Sequence, residues 1–204
     1  TVTAQSELDI DGAFTLSGGT FDINGQNADV AGNWSDASGT FQAGGGTVTL
    51  SGGNSDVTTG SSNYFFNLEI NSTGTKTATS NLDINGVFTL TAGIFDAGST
   101  SIDIVGNWDD SGNNGGFTPS AGTVTLSGAG SNITTGSNNN FFNLVINSSG
   151  TKSALSELDI NGDLTVSSGE LAMGANNADV ASSKTVDCDG TISLSTGIFT
   201  ANGP

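Results

Sequence analysis

The chain has no arginine and no histidine, and only one cysteine, one methionine, one tyrosine and two prolines in 204 residues. Each shortage excludes something. Without histidine, no side chain of ordinary pKa is available for acid–base work near neutral pH. Only three lysines (Lys76, Lys152 and Lys184) face 20 acidic residues, for a net charge of −17. Phosphate contacts need Lys or Arg, so nucleic acid and anionic membrane surfaces are excluded as partners. A single cysteine, Cys188, excludes an internal disulfide. No apolar run approaches the ~20 residues of a membrane-spanning helix. No stretch has a convincing 3.6-residue period, so essentially no helix is expected.

What is present is glycine, 31 residues of it, and short runs of Thr, Val, Ile and Phe. Strand candidates in the first third are Leu8 to Ile10, Phe14 to Leu16, Phe21 to Ile23, Ala28 to Val30, Thr40 to Ala43, Thr47 to Ser51, Asp56 to Thr58 and Phe66 to Ile70. Gly, Asn, Ser and Asp separate them, and these residues tolerate turns and left-handed backbone. Hydrophobic residues make up 34%. That is low for a globule but enough for a thin core, because a strand alternating in and out needs only every second residue apolar.

The text repeats. Leu82-Asp83-Ile84-Asn85-Gly86 has near copies at Leu8-Asp9-Ile10-Asp11-Gly12 and Leu158-Asp159-Ile160-Asn161-Gly162. Gly46 to Gly52 recurs unchanged at Gly122 to Gly128, Gly32-Asn33-Trp34 at Gly106-Asn107-Trp108, and Phe65-Phe66-Asn67-Leu68 at Phe141-Phe142-Asn143-Leu144. The long repeats cover about 8–81, 82–157 and, in part, 158–204. Their offset grows from 74 to 76 residues around Asn113 to Pro119, which predicts an exposed loop there. In the third copy Lys184 stands where Trp34 and Trp108 would be.

Inside the long repeat lies a step of 20: Leu8-Asp9-Ile10 to Ala28-Asp29-Val30, Leu82 to Ile102, and Leu158 to Ala178. Short strands with polar turns at this period predict one elongated all-β domain over residues 1–204. Its fold is a parallel β-helix, or β-solenoid, with coils of about 20 residues. Ten coils at the inter-strand spacing would make a rod about 50 Å long. A string of small antiparallel sandwiches explains the long period but not the step of 20.

The motifs Gly-Asn-Trp, Gly-Thr-Val-Thr-Leu-Ser-Gly, Phe-Phe-Asn-Leu-x-Ile-Asn and Leu-Asp-Ile-Asn-Gly-x-Leu/Phe-Thr resemble the β-solenoid repeats of large secreted bacterial surface proteins of the adhesin and autotransporter-passenger kind. The resemblance covers nearly the whole chain. It implies an extracellular or cell-surface structural role and carries over no catalytic residue.

The candidate site residues are the aspartates. If 20 residues make one coil, Asp9 lies beside Asp29, Asp83 beside Asp103, and Asp159 beside Asp179, each pair roughly 5 Å apart on the outside. A Ca²⁺ ion would relieve their repulsion, and simple solvation is the alternative; no EF-hand spacing is present. A regular ladder of acids is unlike an active site. With no His, no Arg and no Gly-x-Ser-x-Gly elbow, an enzyme is not expected. Phe65-Phe66 and Phe141-Phe142 are adjacent pairs, so one of each is expected outward or over a corner, and Trp34 and Trp108 carry the same ambiguity. Cys188, in the copied pattern Val186-Asp187-Cys188-Asp189-Gly190, takes the place of Ile84 and Ile160 and is expected to be buried. Asn33, Asn71, Asn132 and Asn147 head Asn-x-Ser/Thr triplets, which chance explains in so polar a chain.

Residue 1 is Thr and no signal peptide is visible, so the chain reads as a mature or excised segment. Both ends break inside a repeat without a helix or charged cap, and uncapped sheet edges are templates for further strands. The expected role is therefore a subunit or segment of an extracellular filament or stalk, assembled head to tail with its own kind. The alternative is an adhesin-type module that reads glycans or surfaces through an aromatic strip.

Overall fold

The computed structural model describes residues 1–113 and 116–201. Those residues form a β-solenoid of three-strand coils with no helix. The strand pairs run parallel, in register, between residues about 20 apart, which rules out antiparallel sandwiches. The first face can be followed from coil to coil through Leu8, Ala28, Val48, Leu68, Phe88, Trp108, Ile133 and Ala154. Lys152 beside Ala154 leads on to Leu171 and Ile192. That gives ten rungs, or a rod about 48 Å long at ~4.8 Å per rung.

The second face begins with Phe14, Trp34, Val57 and Ala78 and ends with Leu158, Ala178 and Phe199. The third begins with Val2, Phe21 and Phe41 and continues through Leu82, Ile102, Val124, Leu144, Leu164 and Val186. Along the strands of the middle coils, inward residues alternate with outward ones, as in Leu82–Ile84, where Leu82 and Ile84 are buried and Asp83 is exposed. Asn85-Gly86 is a corner between the third face and the first. The buried apolar residues from Ala4 to Val180 form one continuous core.

The long repeat does not contain a whole number of coils. From Leu8 the chain passes three rungs of the first face, reaching Leu68, then crosses the second face at Ala78 before Leu82 starts the next copy on the third. From Leu82 it passes three rungs to Leu144, crosses the first face at Ala154, and starts the third copy at Leu158 on the second. One long repeat thus equals three and two-thirds coils. Equivalent residues turn by one face and climb about 18 Å per repeat.

Three sequence expectations change. The strand candidate Phe66 to Ile70 is longer than expected: Asn67–Ala78 is one bent strand, which rounds the corner between two faces. The expected exposed loop near Asn113 to Pro119 contains a strand, Phe117–Thr118, with Phe117 only 3% exposed and in register with Phe95. The two extra residues lengthen that coil without displacing its strand: Phe95 pairs with Phe117, 22 residues on, where Phe21 pairs with Phe41, 20 residues on. Asn114 and Gly115 in that stretch, and Asn202 to Pro204 at the end, lie outside the described residues. Finally, Cys188 is exposed. It pairs with Val166, because this rung joins residues 22 apart (Leu164 with Val186) rather than 20, and among the described residues no strand stacks on its other side.

Candidate functional site

The three aspartate pairs are neighbours. Asp9 is in register with Asp29, Asp83 with Asp103, and Asp159 with Asp179. Parallel in-register stacking brings like residues together, so each pair sits at about 4.8 Å between backbones. The carboxyls of Asp83 and Asp159 are pushed above the usual range, first by partial burial and then by the charge of Asp103 and Asp179. Serines relieve part of the load: the Ser51 hydroxyl donates to Asp29 Oδ1, and the Ser127 hydroxyl donates to Asp103 Oδ1 at 2.5 Å. Ca²⁺ takes about 6–8 oxygens. A pair offers two carboxylates, and no group of three acid or thiol ligands converges among the described residues.

Beside two of the pairs stands a polar lip. In the first repeat it is the Gly60 to Asn63 loop, held by a buried network. Asp36, 1% exposed, accepts through Oδ1 from the Gly60 N–H at 2.8 Å. Asn63 Nδ2 donates to the carbonyls of Asp36 and Gly39, and Asn63 Oδ1 accepts the Phe41 N–H at 3.1 Å. The side chain of Asn63 thus replaces the ladder bond that is missing where the coil widens. The second repeat copies this with Asp110, Gly136, Asn139 and Phe117. Each lip overhangs an aspartate pair. The result is an open groove of about 250 Å³ at Asp83 and Asp103, and one of about 400 Å³ at Asp159 and Asp179. Sequence reading found the aspartates but missed the lips, whose signal was the recurring Thr-Thr-Gly-Ser-x-Asn.

The network has a cost. Asp36 Oδ2 and Trp34 Nε1 are both buried and fall short of hydrogen-bond geometry, as do Asp110 Oδ2 and Trp108 Nε1, so each indole N–H draws its carboxyl down without fully satisfying it. Burial raises the carboxyl of Asp36 and pushes that of Asp110 up to about 6, against the pull of the Gly136 N–H and Asn139.

A second polar feature lies inside the wall. Lys76 and Lys152 are fully buried, in register with the core residues Phe95 and Leu171. Lys76 Nζ donates to Ser55 Oγ at 2.7 Å and to the Ala31 carbonyl at 3.1 Å, and Lys152 Nζ donates to Ser131 Oγ at 2.8 Å. A lysine bonded to a serine is one way of activating a nucleophile. Here Lys76 is 0% and Ser55 8% exposed, and neither groove described above is lined by either.

The aromatics are mostly core. Trp34 is sandwiched against Phe14 at 4.4 Å and meets Phe41 and Phe65 edge-on or tilted, and Trp108 sits likewise among Phe88, Phe117 and Phe141. Trp34, Trp108, Phe65 and Phe141 therefore form no outward strip. Phe66 and Phe142 are the half-buried members of their pairs, and Lys184 Nζ sits 5.3 Å above the Phe142 ring. No protein-family model, curated protein or solved structure matches this chain.

Proposed function

We propose that the chain is a structural rod of an extracellular surface filament or stalk, continued at its ends by further coils stacked in the same parallel register. The observation that carries this reading is the contrast between matched residues. Leu8, Ile10 and Phe14 in the first coils are only partly covered, whereas their counterparts Leu82, Ile84 and Phe88 are 0–2% exposed. At the other end Leu194 is 39% and Ile198 64% exposed. A further coil would cover these residues and pair the open backbone edges, whether it comes from the same polypeptide or a second copy. The acidic surface keeps such rods apart laterally. The location outside the cell rests on the resemblance of the repeats to those of secreted bacterial surface proteins.

The test is the concentration dependence of particle length, by sedimentation, of the 204-residue chain. End-to-end growth is expected. A charge at the end, Ile198→Lys, should stop it, and Asp83→Asn on a side wall should not. Particles of one coil stack at every concentration would sink the self-stacking form of the proposal.

A second reading is a binding module for glycans or surfaces. It draws on the two lipped grooves rather than on an aromatic strip. Glycan-array binding lost on Asp159→Asn with Asp179→Asn would favour it, and binding unaffected by those changes would remove it.

A further inference from the structure

We propose that Lys76 and Lys152 are built-in counter-cations: each is held inside the wall behind an aspartate pair and offsets that pair's charge, doing the work a bound metal ion would otherwise do. Both are fully buried, at core positions of the ladder where their neighbours on the next coil are Phe95 and Leu171. A buried ammonium is costly unless something opposite in charge or strongly hydrogen-bonding meets it. Ser55 and the Ala31 carbonyl meet Lys76, and Ser131 meets Lys152. These contacts also fix where the charge sits. Ala31 lies two residues from Asp29, so Lys76 Nζ is anchored at the corner that ends the Asp9–Asp29 face. Burial lowers both ammonium groups first of all; against it, the charge of Asp29 raises Lys76 and that of Asp103 raises Lys152.

The serine contacts are the same in both repeats. The lysine serves the second aspartate of the pair, the one that also accepts from a serine hydroxyl, Ser51 at Asp29 and Ser127 at Asp103. Asp83, the first aspartate of its pair, is raised first by partial burial and then by the charge of Asp103. The two members of a pair are therefore unequal, although the repeated text treats them alike. The second aspartate has a serine donor and the buried lysine close to its strand, and the first has its like-charged neighbour in register.

The test is a set of melting curves at low ionic strength. Asp29→Asn with Asp103→Asn is expected to lower the melting temperature by ~5 °C, an ordinary shift for losing one favourable interaction at each of two sites. Asp9→Asn with Asp83→Asn is expected to leave it unchanged or raise it. In a Lys76→Met, Lys152→Met background the sign reverses: Asp29→Asn with Asp103→Asn now raises the melting temperature. The unsubstituted protein should melt alike in EDTA and in millimolar CaCl₂. The proposal is overturned if the two sets of Asp→Asn changes act equally, or if EDTA alone lowers the melting temperature. If the lysine variants do not fold, the comparison of the two aspartate sets in the parent chain still decides.

Discussion

Leu8 and Leu82 begin the same repeated sequence yet lie on different faces of the rod: Leu8 heads the ladder of Ala28 and Val48, and Leu82 that of Ile102 and Val124. The cause is arithmetic. A repeat of 74–76 residues wound on coils of about 20 leaves two-thirds of a coil over, so each copy starts one face round. Whatever a repeat displays, its aspartate pair and lipped groove included, is shown in a new direction every ~18 Å. A smooth rod built from one sequence unit is thereby decorated on all sides.

Cysteine pairs read this geometry directly. In a Cys188→Ser background, Asp83→Cys with Asp103→Cys should close a disulfide in air, because in-register neighbours ~4.8 Å apart fall within the backbone span a disulfide tolerates. Asp9→Cys with Asp83→Cys, equivalent in the repeat but on different faces, should keep both thiols free. Thiol titration and a non-reducing gel distinguish the two.

Stability should fall as pH rises, the reverse of the usual carboxylate behaviour. The carboxyl of Asp110 has an ordinary value of 3.8 and a folded value of about 6, so the folded state holds the proton more tightly than the unfolded one. Its contribution is fully present below pH ~4 and is lost as pH climbs through about 6, a difference of about 3 kcal/mol. Asp36, Asp83 and Asp159 shift in the same direction. Urea unfolding at pH 4, 5, 6 and 7 should show this slope, and Asp110→Asn should flatten it.

Trp108 packs against Phe88, Phe117 and Phe141, joining three successive coils, at 0% exposure. Trp108→Ala should cost about 3–5 kcal/mol in urea unfolding. Leu155→Ala, at a residue 56% exposed, should stay within about 0.5 kcal/mol of the parent.

Gly93 has φ of +85° at the corner of the strand Phe88–Asp96, and a Cβ there would lie 2.2 Å from Ser72 Oγ. Gly93→Ala should lower stability by about 1–3 kcal/mol through strain and displacement of that serine. Gly45→Ala, where a Cβ meets nothing within 4 Å, should be nearly neutral.

The coil and the aspartate pairs were legible in the sequence because parallel in-register stacking places like beside like. The step from Leu82 to Ile102 is both a text recurrence and a ladder rung. The turning of the repeat was implicit in the same two periods but needed the ladders to become visible. The buried lysines were not legible. Lys76 sits in Thr-Gly-Thr-Lys-Thr, a polar run that reads as a loop, and only the bend in Asn67–Ala78 turns its side chain into the core. The lips were hidden for a similar reason: a side-chain amide, Asn63, does the work of backbone where the ladder breaks. Cys188 misled because its surrounding text copies one position while its register follows another.

The measurement that tests the account most directly is electron microscopy of the 204-residue chain across a range of concentrations. The account predicts thin, unbranched fibres that lengthen with concentration and carry an axial repeat of about 50 Å, ten coils at ~4.8 Å each. Compact particles with no elongated axis would contradict the rod itself, and rods that never join whatever the concentration would contradict the end-to-end stacking of copies.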